Sequence, residues 1–444
     1  MSFGESRRAR LRGGTLLLVA VAAACSVAPA VSVYVLPPSR VRVPPPPGAF
    51  NAEERYQRGH YLEVQQYLES LAPGELDRSA ALLALYGRVL LARGDFDSAW
   101  PILEKARRLE GRSSRRAEID WALSQGAILW NDFGTAEEYA SNAVRGGYGL
   151  VPGFLHFLAA LRNVEVYAGP PSGASGSDSF DMQGFRLLRI PVRVNGLDSA
   201  AIVDSGAVYT IVTQSFAREV RVRMIPDSRA SGRGLHKKEF PVDFGIIDEI
   251  GFAGFSLRDV PVMVMPDEAM LFETTRGQFP VPIVLGVHLL KEFRADIDYA
   301  GRQIRWVRQD FRVPKRSPRQ NLFFRSGRVF ARGSIDRNGY YQFLLDTGSE
   351  PTLMTSAGVA RAGLPPSNRV FPKKVYGLGK TEVEWGRIPD VTLGLAGWAA
   401  RFQDIAVKDD DTAFEDGIVG TSLLEHFEVG IDFAEMTLVL ESGG

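Results

Sequence analysis

Ala201-Ile202-Val203-Asp204-Ser205-Gly206-Ala207 and Phe343-Leu344-Leu345-Asp346-Thr347-Gly348-Ser349 are one short phrase written twice. Each runs from three apolar residues into an acid, a hydroxyl residue and a glycine. A single tripeptide of this kind arises by chance in a chain of 444 residues. Two in matching surroundings do not.

The surroundings match on both sides. Asn195-Gly196 and Asn338-Gly339, a hairpin signal, precede the two phrases. Gly251-Phe252-Ala253-Gly254-Phe255 corresponds to Gly394-Leu395-Ala396-Gly397-Trp398, and Asp259-Val260-Pro261-Val262 to Asp404-Ile405-Ala406-Val407. Later, Ile283-Val284-Leu285-Gly286, Phe293 and Ile297-Asp298-Tyr299 answer to Gly417-Ile418-Val419-Gly420, Phe427 and Ile431-Asp432-Phe433. Residues 186–309 and 321–444 are therefore a duplication, divided by a polar, proline-containing linker at 310–320. Both halves consist of short apolar and β-branched runs punctuated by glycine, Asn-Gly and proline, which is an all-β signature.

Two carboxylates brought face to face cannot both stay ionised, so Asp204 and Asp346 would share a proton and titrate as a pair. The ionised member suits a general base acting on a water, and the protonated member a donor to a carbonyl oxygen. Gly206 and Gly348 let the backbone approach where a Cβ would clash.

Each half resembles the retropepsin and pepsin families of aspartic proteases. The resemblance rests on the apolar strand into Asp-Ser/Thr-Gly, the apolar-apolar-Gly motif at Gly286 and Gly420, and the short helix and last strand after it. It covers roughly residues 186 to 444 and implies a pair of β-barrels that build one active site within one chain. It implies Asp204 and Asp346 as the catalytic dyad, with Ser205 and Thr347 locking the two loops together beneath it. A polypeptide is then the substrate, no cofactor is needed, and the chain works as a monomeric pseudo-dimer. Tyr376-Gly377-Leu378-Gly379 is similar to a flap tip of these enzymes, and Gly232-Arg233-Gly234 stands at the matching place in the first half. These glycines, with Tyr376, are the expected substrate-covering residues; ordinary glycine-rich turns are the plainer alternative. Asp298 and Asp432, in Ile-Asp-aromatic strands, read as structural.

The first part of the chain has a different grammar. Over 51–165 the pattern is helical, and Gly87, Leu90, Gly94, Phe96, Ala99, Leu103 and Ala106 alternate small and large at the contact positions of a helical hairpin. This resembles a tetratricopeptide repeat. Similar units flank it, with turns at Gly59, Gly94 and Asn131, close to that family's period of about 34 residues. The resemblance implies a stacked solenoid with a surface for a peptide or protein partner; a solenoid that merely packs on its neighbour is the alternative. Residues 166–185, rich in Gly, Pro and Ser, read as a linker.

Residues 1–36 read as an export segment: Arg7, Arg8, Arg10 and Arg12 precede an uncharged apolar stretch from Thr15 to Leu36. Three outcomes fit: cleavage at Ala28-Pro29-Ala30, retention as a membrane anchor, or lipidation of Cys25. The last follows from Val21-Ala22-Ala23-Ala24-Cys25, which resembles a bacterial lipobox. A proline-rich spacer, residues 37–50, comes next. Cys25 is the chain's one cysteine, so the exported part has no internal disulfide. The expectation is an extracytoplasmic, membrane-tethered protein.

Lys+Arg and Asp+Glu balance at 52 each, so no global field attracts nucleic acid. The five histidines show no paired metal-ligand spacing. Two rival readings remain at this level: a non-catalytic scaffold or peptide-binding module, and a dimer that pairs like aspartates from two chains.

Overall fold

The computed structural model describes residues 33–36, 50–72, 74–111, 113–182, 186–233, 239–274, 277–311, 317, 319–365, 371–375, 381–410 and 414–442. A strand, β1 (Val33–Leu36), precedes the helices α1 (Ala52–Gln57), α2 (Tyr61–Glu69), α3 (Glu75–Arg78), α4 (Ala80–Ala92), α5 (Phe96–Glu110), α6 (Ser114–Leu129), α7 (Phe133–Arg145) and α8 (Pro152–Leu161). The expected helical segment is present, with turns where Gly59, Gly94 and Asn131 placed them. All three residues have positive φ (78°, 73° and 61°), the left-handed conformation that ends a helix. Asp95 and Asp132 then cap the helices that follow, accepting the N–H of Ser98 at 3.3 Å and of Thr135 at 3.0 Å.

These turns also dock the helices on the β region. Gly59 lies so close to Gln342 that a Cβ would come within 2.5 Å of its Oε1, and Gly94 packs against Met436. Asn131 reaches the first half, where its Nδ2 donates to Glu292 Oε1 (2.8 Å) and its Oδ1 accepts from Lys291 Nζ (2.9 Å). The Lys291 side chain is 0 % exposed. Glu292 (2.6 Å) and the rings of Tyr167 and Phe311 compensate its charge. Burial alone would push the Glu292 carboxyl up; Lys291 and Arg308 outweigh it and bring it below the ordinary range. The helical segment thus grips both halves.

After β2 (Ser175–Ser179), the first half contains β3 (Arg189–Val194), β4 (Leu197–Val203), β5 (Thr210–Thr213), α9 (Gln214–Glu219), β6 (Arg223–Met224), β7 (Ala230–Arg233), β8 (Glu239–Phe252), β9 (Phe255–Met265), β10 (Leu271–Thr274), β11 (Gly277–Pro280), β12 (Ile283–Leu285), α10 (Val287–Leu290), β13 (Phe293–Asp298) and β14 (Gln303–Arg308). The second contains β15 (Leu322–Arg325), β16 (Arg328–Ile335), β17 (Asn338–Leu345), β18 (Leu353–Thr355), α11 (Ser356–Arg361), β19 (Phe371–Val375), β20 (Thr381–Leu395), β21 (Trp398–Lys408), β22 (Gly417–Val419), α12 (Thr421–Leu424), β23 (Phe427–Asp432) and β24 (Thr437–Ser442).

In each half, strands close into a barrel. The order is β3-β4-β12-β5-β9-β8 and back to β3 in the first, and β16-β17-β22-β18-β21-β20 and back to β16 in the second. Matching strands occupy matching places, as the duplication requires. A further sheet, β2-β14-β13-β23-β24, joins the halves through the antiparallel pair β13 and β23. Asp298 and Asp432 end those two strands and tie turns, accepting the N–H of Gly301 (2.8 Å) and of Glu435 (2.9 Å).

Two stretches differ from the sequence reading. Val33–Leu36, read as the end of the apolar segment, pairs with Phe402 to Ala399 on the edge of β21. Residues 37–49 of the expected proline-rich spacer fall outside the described residues. Residues read as linker likewise join the fold: β2 pairs with β14, and Ala168 bridges Arg258 on β9. Both additions cover sheet edges that would otherwise expose unpaired backbone groups.

Candidate active site

The strand before each aspartate runs beside the apolar-apolar-Gly motif of its own half. β4 pairs in parallel with β12, and β17 with β22. Asp204 N–H donates to Leu285 O and Asp346 N–H to Val419 O, both at 3.0 Å. This lateral bond explains why the two motifs recur together. It ends both strands at one level, where the chain turns into the two acid-bearing loops.

The loops meet and cross-link through their hydroxyls. Ser205 Oγ donates to Leu345 O (2.8 Å) and accepts the N–H of Thr347 (3.1 Å). Thr347 Oγ1 donates to Val203 O (2.8 Å) and accepts the N–H of Ser205 (3.0 Å). Four buried bonds of two-fold form join the halves directly beneath the acids. Above them the glycines are indispensable. A Cβ on Gly206 would stand 2.5 Å from Asp346 Cγ, and one on Gly348 would stand 2.5 Å from Asp204 Oδ1.

Both carboxyl side chains are fully buried. Asp204 Oδ1 accepts the N–H of Gly206 (2.7 Å) and Ala207 (3.1 Å), and Asp346 Oδ1 that of Gly348 (3.0 Å). The Oδ2 of each acid is buried and has no donor among the described residues. Burial pushes Asp204 up to about 6, against the pull of Asp346 and of the backbone N–H groups. Burial, the Asp204 charge and the hydrogen bond to Asp204 drive Asp346 well above the carboxylate range. Both acids are thus pushed up, and they titrate as a pair that shares one proton.

The structure unites Asp204, Ser205, Gly206, Asp346, Thr347 and Gly348 in one site. Of the expected flap residues, Gly232 lies in β7, paired with Phe240 across the β7–β8 hairpin. Gly234, Tyr376, Gly377 and Gly379 fall outside the described residues, as does Cys25. β19 and β20 pair from Phe371↔Trp385 to Val375↔Thr381, so the second half has the matching hairpin.

Sequence reasoning missed Arg328, buried with Glu415 at 3.7 Å and drawing Asp346 partly back down. It also missed Tyr209 and His288, buried and stacked behind the Asp204 loop. Nothing local in the sequence distinguishes these from surface residues. Among the described residues, no group of three or more His, Cys, Asp or Glu could hold a metal. A groove of about 830 Å³, whose walls include Arg332, Tyr340, Trp398 and Asp432, is lined by neither Asp204 nor Asp346.

Residues 190–289 and 332–423 match one family, described as Aspartyl protease. Among solved structures, the aspartic proteinase from Irpex lacteus is 13 % identical, with a TM-score of 0.36 over 61 % of this chain and 97 % of that one. A retropepsin-like aspartic protease from Rickettsia conorii is 14 % identical, with a TM-score of 0.20 over 32 % and 94 %. Comparison with curated proteins finds no match.

The upward shift has a consequence for stability. The folded chain holds protons on these acids that the unfolded chain releases. The stability so gained is present below about pH 4 and is lost as pH rises through about 6. Asp204→Asn keeps the acceptor for Gly206 and Ala207 and removes the charge. It should raise the Tm at pH 7 and have little effect near pH 4. Thermal melts of both proteins across that range check this; a difference that grows on acidification contradicts it.

Proposed function

We propose that this chain, whose two barrels both match the aspartyl protease family, is an endopeptidase with one active site, shared by Asp204 and Asp346. The observation that carries the reading is the reciprocal Ser205–Thr347 lock, which holds two buried acids face to face. The ionised acid of the pair takes a proton from a water between the carboxyls while the water oxygen attacks the scissile carbonyl carbon. The protonated acid of the pair donates to the carbonyl oxygen and stabilises the charge that develops there. Collapse of the tetrahedral intermediate breaks the C–N bond as the amine nitrogen takes the proton that the first acid received from the water, while the protonated carbonyl oxygen returns its proton to the second acid. Burial strengthens both interactions, because no bulk water competes for the acids. A scaffold has no use for two acids held at this expense in desolvation, which counts against a non-catalytic role.

The helical hairpins fit the tetratricopeptide pattern. Their turn edge lies on the barrels, so a partner would use another face of the stack. The first residues fit export with a short tether. If Cys25 is lipidated, only residues 26–32 separate it from β1, and they span about 25 Å at most when extended. Mass spectrometry of the mature N-terminus tests this: a lipid-modified Cys25 supports the tether, and an unprocessed Met1 in a soluble fraction contradicts export.

Asn in place of either aspartate should lower cleavage of an unfolded protein substrate by about 10²-fold or more while the chain still folds. Retained activity in either single variant would exclude the shared site.

A further inference from the structure

The loop that carries Asp204 is held from two sides. On one side, the first turn of α10 contributes backbone donors: Val287 N–H to Ala207 O (2.8 Å) and His288 N–H to Val208 O (3.0 Å). On the other side lies Tyr209, at the end of the same loop and buried. Its ring stacks flat on His288, with centroids 4.4 Å apart and planes 4° apart. The edge contact comes from outside the barrel. Phe157 of α8, 0 % exposed, meets Tyr209 at 5.6 Å and 89° and stacks on Phe244 of β8 at 4.3 Å. The aromatic contacts continue into the helical segment, from Phe157 to Phe133 on α7 and from Phe154 to Trp121 on α6.

The second loop is built differently. Its backbone bonds are the same, Thr421 N–H to Ser349 O (2.8 Å) and Ser422 N–H to Glu350 O (2.9 Å). Yet Pro351 stands where Tyr209 would be, and Ser422 where His288 would be. Proline fixes its own φ and needs no ring packed against it to hold the chain. Ser422 Oγ accepts the N–H of Thr352 (2.9 Å), a bond local to that half. The duplication therefore preserved the backbone frame but made the first loop dependent on a contact from the helices.

We propose that Tyr209 and Phe157 are positioning residues for Asp204, so that the helical segment is a working part of the catalytic site. This rests on the peptidase reading. The ring of Tyr209 transmits the seating of α8 to the loop, and the loop sets where the Asp204 carboxyl stands against Asp346. A misplacement of about 1 Å costs on the order of 10²-fold in rate, so a modest shift is readable. The proposal also gives the helical segment a role that does not depend on a partner.

The test uses the full chain with Tyr209→Leu, Phe157→Leu and the ring-preserving Tyr209→Phe, each checked for folding by circular dichroism and thermal melt. On a labelled unfolded protein substrate, the two leucine variants should lose about 10-fold or more in kcat with KM within about 2-fold, and their acid pH limb should move. Tyr209→Phe should keep wild-type values. Folded leucine variants with wild-type kcat and an unmoved pH profile overturn the proposal. Carbon-13 titration of the Asp204 and Asp346 carboxyls gives a readout free of turnover. Shifted titrations in the leucine variants support positioning, and unchanged ones overturn it. A wild-type chain that cleaves nothing defeats the peptidase reading, and the carboxyl titration then decides the positioning role alone. Should Phe157→Leu fail to fold, Phe157→Met repeats the test with an unbranched, flexible side chain that can fill the space without a ring.

Discussion

Two loops from different halves of one chain must approach until each glycine touches the opposite acid. Most of the architecture serves that constraint. The hydroxyls of Ser205 and Thr347 each bond twice across the seam, donating to a carbonyl and accepting an N–H of the other half. Leaving one such buried backbone group unmatched costs about 1–3 kcal/mol, so the lock tolerates little variation in chemistry. A serine on one side and a threonine on the other satisfy it equally, since both carry the hydroxyl. A residue with any side chain in place of Gly206 or Gly348 would collide with a carboxyl.

The halves are also fastened away from the acids. The strand pair β13 and β23 joins them by backbone bonds, and the helical segment reaches over to both. Its docking relies on the turn residues that make the hairpins in the first place. Gly59 and Gly94 reverse the chain and leave room for Gln342 and Met436, while the Asn131 side chain enters the buried Lys291–Glu292 cluster. Removing one partner of such a cluster leaves a buried charge unpaired, which costs about 3–5 kcal/mol, so the seat of the helices is specific.

What the sequence made legible was local and repeated. Asp204-Ser205-Gly206 and Asp346-Thr347-Gly348 could be ranked above chance because Gly286 and Gly420 recur behind them, and the structure bonds each acid strand to its own late motif. The turns at Gly59, Gly94 and Asn131 were legible because a left-handed residue between two helices leaves a compositional mark. What remained hidden depends on partners far along the chain. Val33–Leu36 reads as apolar filler until Phe402 is beside it, and Ser175–Ser179 reads as linker until Trp306 and its neighbours are. Lys291 reads as a surface charge, because nothing near it in sequence announces Asn131 or Tyr167. Tyr209 is similar: an aromatic residue after an acid loop says nothing about a helix that packs behind it.

The central claim is that one chain builds one site from both of its halves. Calorimetric titration with a peptide inhibitor carrying a tetrahedral hydroxyl group tests it most directly, run on protein whose mass in solution is measured by sedimentation. The account predicts one inhibitor bound per chain at the mass of a monomer. Two inhibitors per chain, or binding by a dimer alone, would mean that Asp204 and Asp346 do not act as a pair within one molecule.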